Sequence, residues 1–309
     1  MDHDQRTRLA RLSLKGLSIG DAFGDSFFGE LPWIEQHISR REVPHTTRWE
    51  FTDDTVMGIA VLQLLEEQGK IEQDRLARLF AGNYQKDVNR GYGGTAHKIL
   101  REIGEGIPWQ QVAGAVFDGQ GSMGNGAAMR SGPLGAYFFD QPEKCIEQAR
   151  LAAQVTHAHP EAVAGAVAVA LAAGLAASAK ATGQELAAAD FLAKIYTRLE
   201  DSDTKAKIGK SLHLPVTYRI DTVTAILGNG TRLLAQDTVP FALWCAAHHL
   251  SDFAEALWTA IAGLGDRDTI GAIVGSIVIL SAPAETIPAM WLASVEDYRS
   301  SLFSNYQGR

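Results

Sequence analysis

Cysteine is almost missing: Cys145 and Cys245 are the only two in 309 residues, with no CxxC pair. That excludes a disulfide framework or a thiolate zinc knuckle, and a reducing, cytoplasmic setting is expected. Positive charge is also short, 28 Lys+Arg against 36 Asp+Glu for a net charge of −8. A chain lacking a basic stripe is not built to neutralise a nucleic-acid polymer. The opening MDHDQRTRLARLSLKG places two Asp before the first Arg and has no unbroken apolar core, so it does not read as a signal peptide. Alternating β-branched runs are few, which leaves little to build a sheet from. One stretch, Ala162 to Ala179, is 18 residues without a charge, near the ~20 needed to cross a bilayer. It is mostly Ala, Val and Gly, a composition that suits a helix buried among other helices, and no membrane partner is expected.

What the chain does have is 46% hydrophobic residues against 21% charged, the balance of a folded globular protein. Helical periodicity recurs in most windows. Val56, Ile59, Ala60, Leu62 and Leu65 form one apolar stripe, with Gly69 placed as its C-cap. Further helices are expected over Gln73–Tyr84, Ala96–Gly104, Pro142–Gln154, Pro160–Ala179, Gly183–Arg198, Leu243–Leu257 and Thr269–Leu280. The fold class is all-α, a single compact orthogonal multi-helix bundle spanning residues 1–309, because several of these stretches are apolar nearly all round. Glu200–Leu214 is polar and reads as an insertion or surface loop.

Four segments carry chemistry-bearing residues. Thr52-Asp53-Asp54-Thr55 precedes the first stripe. Thr52 there is an N-cap with two acids in the first turn, or, on the other reading, the group supplies hard oxygen donors for Mg²⁺, Mn²⁺ or Ca²⁺. Gly265-Asp266-Arg267-Asp268-Thr269 repeats the pattern before Ile270–Leu280. If the two helix starts converge, six oxygen ligands result. Phe117 to Arg130 holds four glycines within eight residues, Gly119, Gly121, Gly124 and Gly126. That loop can bare backbone N–H groups to an anion, but it has no Gly-Lys-Ser/Thr and follows no strand, so it is neither a P-loop nor a dinucleotide turn. Thr156-His157-Ala158-His159-Pro160 opens the Ala-rich helix with Pro160 at its first position. His157 and His159 are two apart, a spacing unlike the helical zinc pair.

In this order, together with Gly16-Leu17-Ser18-Ile19-Gly20-Asp21-Ala22-Phe23-Gly24, the segments resemble the ADP-ribosyl glycohydrolase family of all-α, DraG-like hydrolases, over nearly the whole chain. The resemblance implies two divalent cations, Mg²⁺ or Mn²⁺, held by Thr52, Asp53, Asp54, Asp266, Asp268 and Thr269. It places the diphosphate and distal ribose on Ser122, Met123, Gly124 and Asn125, adenine near Phe117, and a ligand contact at His157. Two departures stand out. Arg267 replaces the usual Thr between the acids, where it is expected to form a structural ion pair. The lid acid of many relatives has no direct counterpart, because Phe27 and Phe28 occupy that region and leave Asp25 and Glu30 as candidates.

The implied activity is hydrolysis of the bond from C1″ of ADP-ribose to a protein side chain, expected to be arginine, with Asp54 and Glu30 as the catalytic acids. Its transition state would resemble an oxocarbenium ion, and metal-bound water is an apt nucleophile for it. Implied partners are ADP-ribose and an ADP-ribosylated protein. Two other readings stay open: an ADP-ribose-binding or immunity-type protein that docks on an ADP-ribosyltransferase toxin without turnover, and a metal phosphohydrolase that releases AMP or phosphate.

Overall fold

A computed structural model describes residues 1–44 and 48–299. Its helices, in chain order, are α1 (His3–Asp25), α2 (Leu31–Arg40), α3 (Asp53–Gln68), α4 (Gln73–Lys86), α5 (Gly94–Gly104), α6 (Trp109–Ala115), α7 (Gly132–Tyr137), α8 (Pro142–Gln154), α9 (Pro160–Thr182), α10 (Ala188–Tyr196), α11 (Asp203–Ser211), α12 (Ile220–Leu227), α13 (Ala235–His248), α14 (Phe253–Ile261), α15 (Arg267–Val278) and α16 (Ala289–Ser294). Two short 3₁₀ turns, Asn125–Ala127 and Ala284–Thr286, complete the set. No strand forms among the described residues; the only extended pairings there are isolated bridges, Trp49 with Val295 and Gly124 with Leu234. The all-α expectation holds.

Buried side chains from Ala10 to Trp291 make one contiguous core. Its centre is the contact of α1 with α15. Gly16, Gly20 and Gly24 recur every fourth residue on α1 and meet Gly275, Gly271 and the Arg267 carbonyl on α15. A methyl at Gly20 would overlap the Gly271 carbonyl, and one at Gly271 would overlap that of Gly20. With no side chain between them, the two backbones touch, as in small-residue helix interfaces generally. The end of α1 thus lies against the start of α15. Helix α9 is the uncharged stretch noted above, and its apolar window lies mostly inside the fold, with Gly174 against Gly135 and Phe139 and Gly165 against Ala235 and Val239.

Most sequence expectations of helices hold to within a few residues, and three do not. The expected loop Glu200–Leu214 contains α11. Ser202 caps it by accepting from the Lys205 N–H at 3.1 Å, and Glu161 accepts from the Asp203 and Thr204 amides at 2.7 and 2.9 Å. The first helical turn is therefore satisfied partly by a carboxylate from α9, which no local pattern announces. The expected helix Leu243–Leu257 is two helices, α13 and α14, separated at His249–Asp252, where Asp252 caps α14. α13 also starts eight residues earlier than expected and carries Pro240 in its interior. Gly183 does not begin a helix; at φ +66° it ends α9, so the following helix starts only at Ala188.

The seam between α1 and α15 has a direct test. Replacing Gly20 with Ala should lower stability by about 1–3 kcal/mol, the usual cost of overpacking. Gly82→Ala, inside α4 where an added methyl meets nothing within 4 Å, should raise it by about 0.5–1 kcal/mol. Denaturant midpoints measured in parallel decide the matter, and a Gly20→Ala protein as stable as wild type would refute the close seam.

Candidate active site

Asp21 organises the first acidic helix start from beneath. It is fully buried on α1, one residue beyond the Gly20 contact, and its carboxylate accepts from the Thr52 N–H at 3.0 and 3.1 Å, the Thr52 Oγ1–H at 2.8 Å, the Thr55 N–H at 3.1 Å and the Thr55 Oγ1–H at 2.5 Å. Thr52 is the N-cap of α3, as its position before two acids suggested; its Oγ1 also accepts from the Asp54 N–H at 3.3 Å. Sequence reasoning assigned no role to Asp21. The Gly-x-x-x-Gly-Asp spacing around it is the signal that could have found it, since the glycine that touches α15 fixes where the next residue points.

The second acidic start is held differently. Gly265 lies against the Asn229 backbone so closely that a side chain would overlap it, and the Asp266 N–H donates to the Asn229 carbonyl at 3.0 Å. Asp266 Oδ2 accepts from Asn125 Nδ2 at 2.6 Å. The two starts do converge, for the Thr269 hydroxyl donates to Asp54 Oδ1 at 3.4 Å across the interface.

Five carboxylates, Asp21, Asp53, Asp54, Asp266 and Asp268, therefore share one neighbourhood, with Arg130 and Arg267 as the nearby guanidinium groups. Burial, reinforced by the charge of Asp268, pushes Asp53 up to about 7 and Asp266 up to about 8. Burial also raises Asp21 and Asp54 well above the usual carboxylate range, with Asp268 adding repulsion to both. Two buried oxygens, Asp54 Oδ2 and Asp268 Oδ1, have no hydrogen-bond partner. Among the described residues no three of these acids are yet drawn around a common point. The donor chemistry still fits a hard cation, because unpartnered carboxylate oxygens at this density are poorly tolerated without a compensating charge.

Above the acids opens a cavity of about 650 Å³, a volume suited to a small organic ligand. Asp53, Asp54, Asp266, Asp268 and Thr269 line its floor, and Phe117, Ser122, Met123, Gly124, Asn125 and His157 line its walls. Thr52 lies behind the acids rather than in the cavity wall. Phe117 is 59% exposed, and it and Asp118 both take positive φ, 51° and 55°, a costly conformation for bulky residues that holds the ring at the cavity lip. His157 is partly buried and its imidazole is pushed down to about 3 by burial and by the Arg130 cation. His159 caps α9 instead, its Nδ1 accepting from the Glu161 N–H at 3.1 Å.

The remaining expected residues are placed as follows. Glu30 is the exposed N-cap residue of α2 and does not line the cavity. Asp25, at the end of α1, does not line the cavity either, but burial and then Asp268 and Glu50 push it up to about 6, so of the two it is Asp25 that feels the acid cluster. Arg267 makes no ion pair among the described residues, contrary to expectation. Its guanidinium lies 4.4 Å from the centre of the Phe28 ring and donates to the Leu264 carbonyl at 2.7 Å. Turned toward the ring and the preceding backbone, it influences Asp266 and Asp268 through space only. A second cavity of about 610 Å³, between α1 and residues 292–299, contains none of the expected site residues.

Fold and site together define an enzyme class, and the chain belongs to the ADP-ribosylglycohydrolase family, whose model matches residues 1–306. Among curated relatives it is 28% identical to human ADP-ribosylhydrolase ARH3, covering 93% of this chain and 89% of that protein. It is 27% identical to an uncharacterized protein of Archaeoglobus fulgidus, covering 93% and 91%. A solved structure titled "ADP-ribosylglycohydrolase-related protein complex" superposes with a TM-score of 0.66 at 22% identity, covering 97% of this chain and 96% of that one.

The acid cluster predicts a pH response of the metal-free protein. A carboxyl raised on folding holds its proton in the native state where the unfolded chain, near 4, has lost it. Stability is therefore greatest below the unfolded value and falls as pH rises through about 7 to 8. In chelator, the thermal midpoint should drop between pH 5.5 and 8, and Asp53→Asn should flatten the slope. Adding Mg²⁺ or Mn²⁺ should restore more at pH 8 than at pH 5.5. An equal rise at both would argue that the cations act elsewhere.

Proposed function

We propose that this hydrolase uses divalent cations to cleave the bond joining C1″ of an ADP-ribosyl group to a protein side chain, with ADP-ribosylarginine the first linkage to assay. The observation carrying the reading is the meeting of Thr269 with Asp54, which brings both acidic helix starts to the floor of one cavity with two carboxylate oxygens unpartnered. Thr52, Asp53, Asp54, Asp266, Asp268 and Thr269 would hold Mg²⁺ or Mn²⁺, which when bound supplies a template for ribose hydroxyls and an acidified water.

The chain's own residues do the rest. The Ser122–Asn125 loop offers backbone N–H groups to the diphosphate, Phe117 offers a ring face to the base at the lip, and His157, seated against Gly124 and Gly126, donates to the ligand beside the loop. Of the two candidate acids Asp25 is the one suited to exchange a proton with the attacking water, since it follows Gly24, which packs against the Arg267–Asp268 backbone, and its carboxyl is pushed up to about 6, where it can change charge near neutral pH. Glu30, exposed at the N-cap of α2, is given no catalytic part.

Incubation with ADP-ribosylated protein and Mg²⁺ should release ADP-ribose, and Asp54→Asn/Asp268→Asn should abolish release. Asp25→Asn should lower kcat by roughly 10²-fold or more, the scale of a lost general acid or base, while Glu30→Gln changes it little. Running arginine- and serine-linked substrates side by side assigns the acceptor. AMP or phosphate as product would overturn glycosidic cleavage, and toxin protection by the double mutant would replace catalysis with docking.

A further inference from the structure

Arg130 is a large side chain with 1% exposure, buried where the Gly-rich loop runs into α7. Its guanidinium lies 4.3 Å from the centre of the Phe80 ring, and Nη2 donates to the Ala152 carbonyl at 3.2 Å and to Thr156 Oγ1 at 2.7 Å. Thr156 Oγ1 is in turn 2.7 Å from His157 Nδ1. Guanidinium has five N–H donors and no acceptor, so Thr156 Oγ1 accepts a hydrogen bond from Arg130 and has its own O–H to donate. Among the described residues its remaining partner is His157 Nδ1. That nitrogen therefore accepts, and the neutral ring carries its proton on Nε2.

Nε2 faces the loop that the proposed function places against the diphosphate and ribose. A Cβ at Gly124 would come within 3.2 Å of Nε2, and one at Gly126 within 3.1 Å of Nε2 and 2.9 Å of Cε1, so glycine at both positions gives the ring its seat. Among the described residues Nε2 has no protein partner, and His157 lines the cavity. We propose that Arg130 and Thr156 are positioning residues which fix His157 as a neutral Nε2–H donor toward an oxygen of a nucleoside-diphosphate-sugar ligand. This rests on the proposed function for the identity of the ligand, but not for the state of the ring. His157 then serves as neither a base nor a metal ligand through Nε2, because that nitrogen's lone pair is replaced by a proton.

The test is ¹⁵N NMR of the full-length protein labelled at its nine histidines, with His157 assigned by its loss in His157→Gln. Nδ1 should resonate as a bare ring nitrogen and Nε2 as a protonated one. Thr156→Val should average the two nitrogens and weaken ADP-ribose binding about fivefold, the effect of one ordinary hydrogen bond. Thr156→Ser should restore both. A protonated Nδ1 in wild type, an unchanged pattern in Thr156→Val, or no rescue by serine overturns the proposal, and the wild-type spectrum decides alone if Thr156→Val does not fold. The expected spectrum in a protein that releases no ADP-ribose would support the relay while overturning the hydrolytic reading, so the two fail separately.

Discussion

Backbone contact between α1 and α15 is the constraint on which the site depends. Helices separated by ordinary side chains lie 8–10 Å apart. Here Gly16, Gly20 and Gly24 remove the side chains from one face, and Gly271 and Gly275 remove them from the other. The consequence is positional: α1 delivers Asp21 under the start of α3 just where α15 begins at Arg267. Asp21 then binds the Thr52 and Thr55 amides and hydroxyls, so α3 is anchored to the same seam. Three helix ends are fixed relative to one another by contacts too short to slide.

That arrangement concentrates negative charge in a place where it is costly. Asp53, Asp54, Asp266 and Asp268 would each be favoured singly at a helix start by the macrodipole, but burial and the charge of Asp268 raise the proton affinity of Asp53, Asp54 and Asp266. A purely structural cap would need one acid per helix and would leave no oxygen unpartnered. The excess over capping, with Asp54 Oδ2 and Asp268 Oδ1 left bare, is what the proposed cation site would use and what two ordinary N-termini would not need. Arg267 does not relieve the repulsion by pairing, since it stacks on Phe28 and bonds the Leu264 carbonyl instead. The −8 net charge of the chain is thus partly a local property of one site.

Local signals carried much of this. A helix with an apolar stripe and a local cap, such as α3 between Thr52 and Gly69, can be read from a dozen residues. α11 could not, because its first turn is completed by Glu161 from another helix, and α13 could not, because Pro240 interrupts its pattern. At the site, the residues of both acidic starts were legible as a pattern, while their meeting was not, because it joins residues 215 positions apart in sequence through the seam of α1 with α15. Asp21 was legible within the Gly16–Gly24 segment but given no role, for the same reason. Glu30 and Asp25 were indistinguishable as letters in one short segment; only burial near Asp268 separates them.

The Gly-rich loop and the acidic helix starts form one unit. Four glycines in eight residues suggest mobility, yet the loop is tied at its middle. Gly124 bridges to Leu234, the Asn125 N–H donates to the Leu233 carbonyl at 3.1 Å, and the Ala235 N–H donates to the Met123 carbonyl at 3.0 Å. Both protons of the Asn125 amide are used, one on Thr238 Oγ1 at 2.9 Å and one on Asp266 Oδ2 at 2.6 Å. A change in charge or ligation at Asp266 is therefore felt by the loop through a single side chain, and a ligand seated on the loop is felt by Asp266 in return, since any such coupling must be reciprocal. Here glycine supplies space for His157 rather than freedom for the chain, and the rigidity that the loop lacks in sequence is provided by the helices it spans.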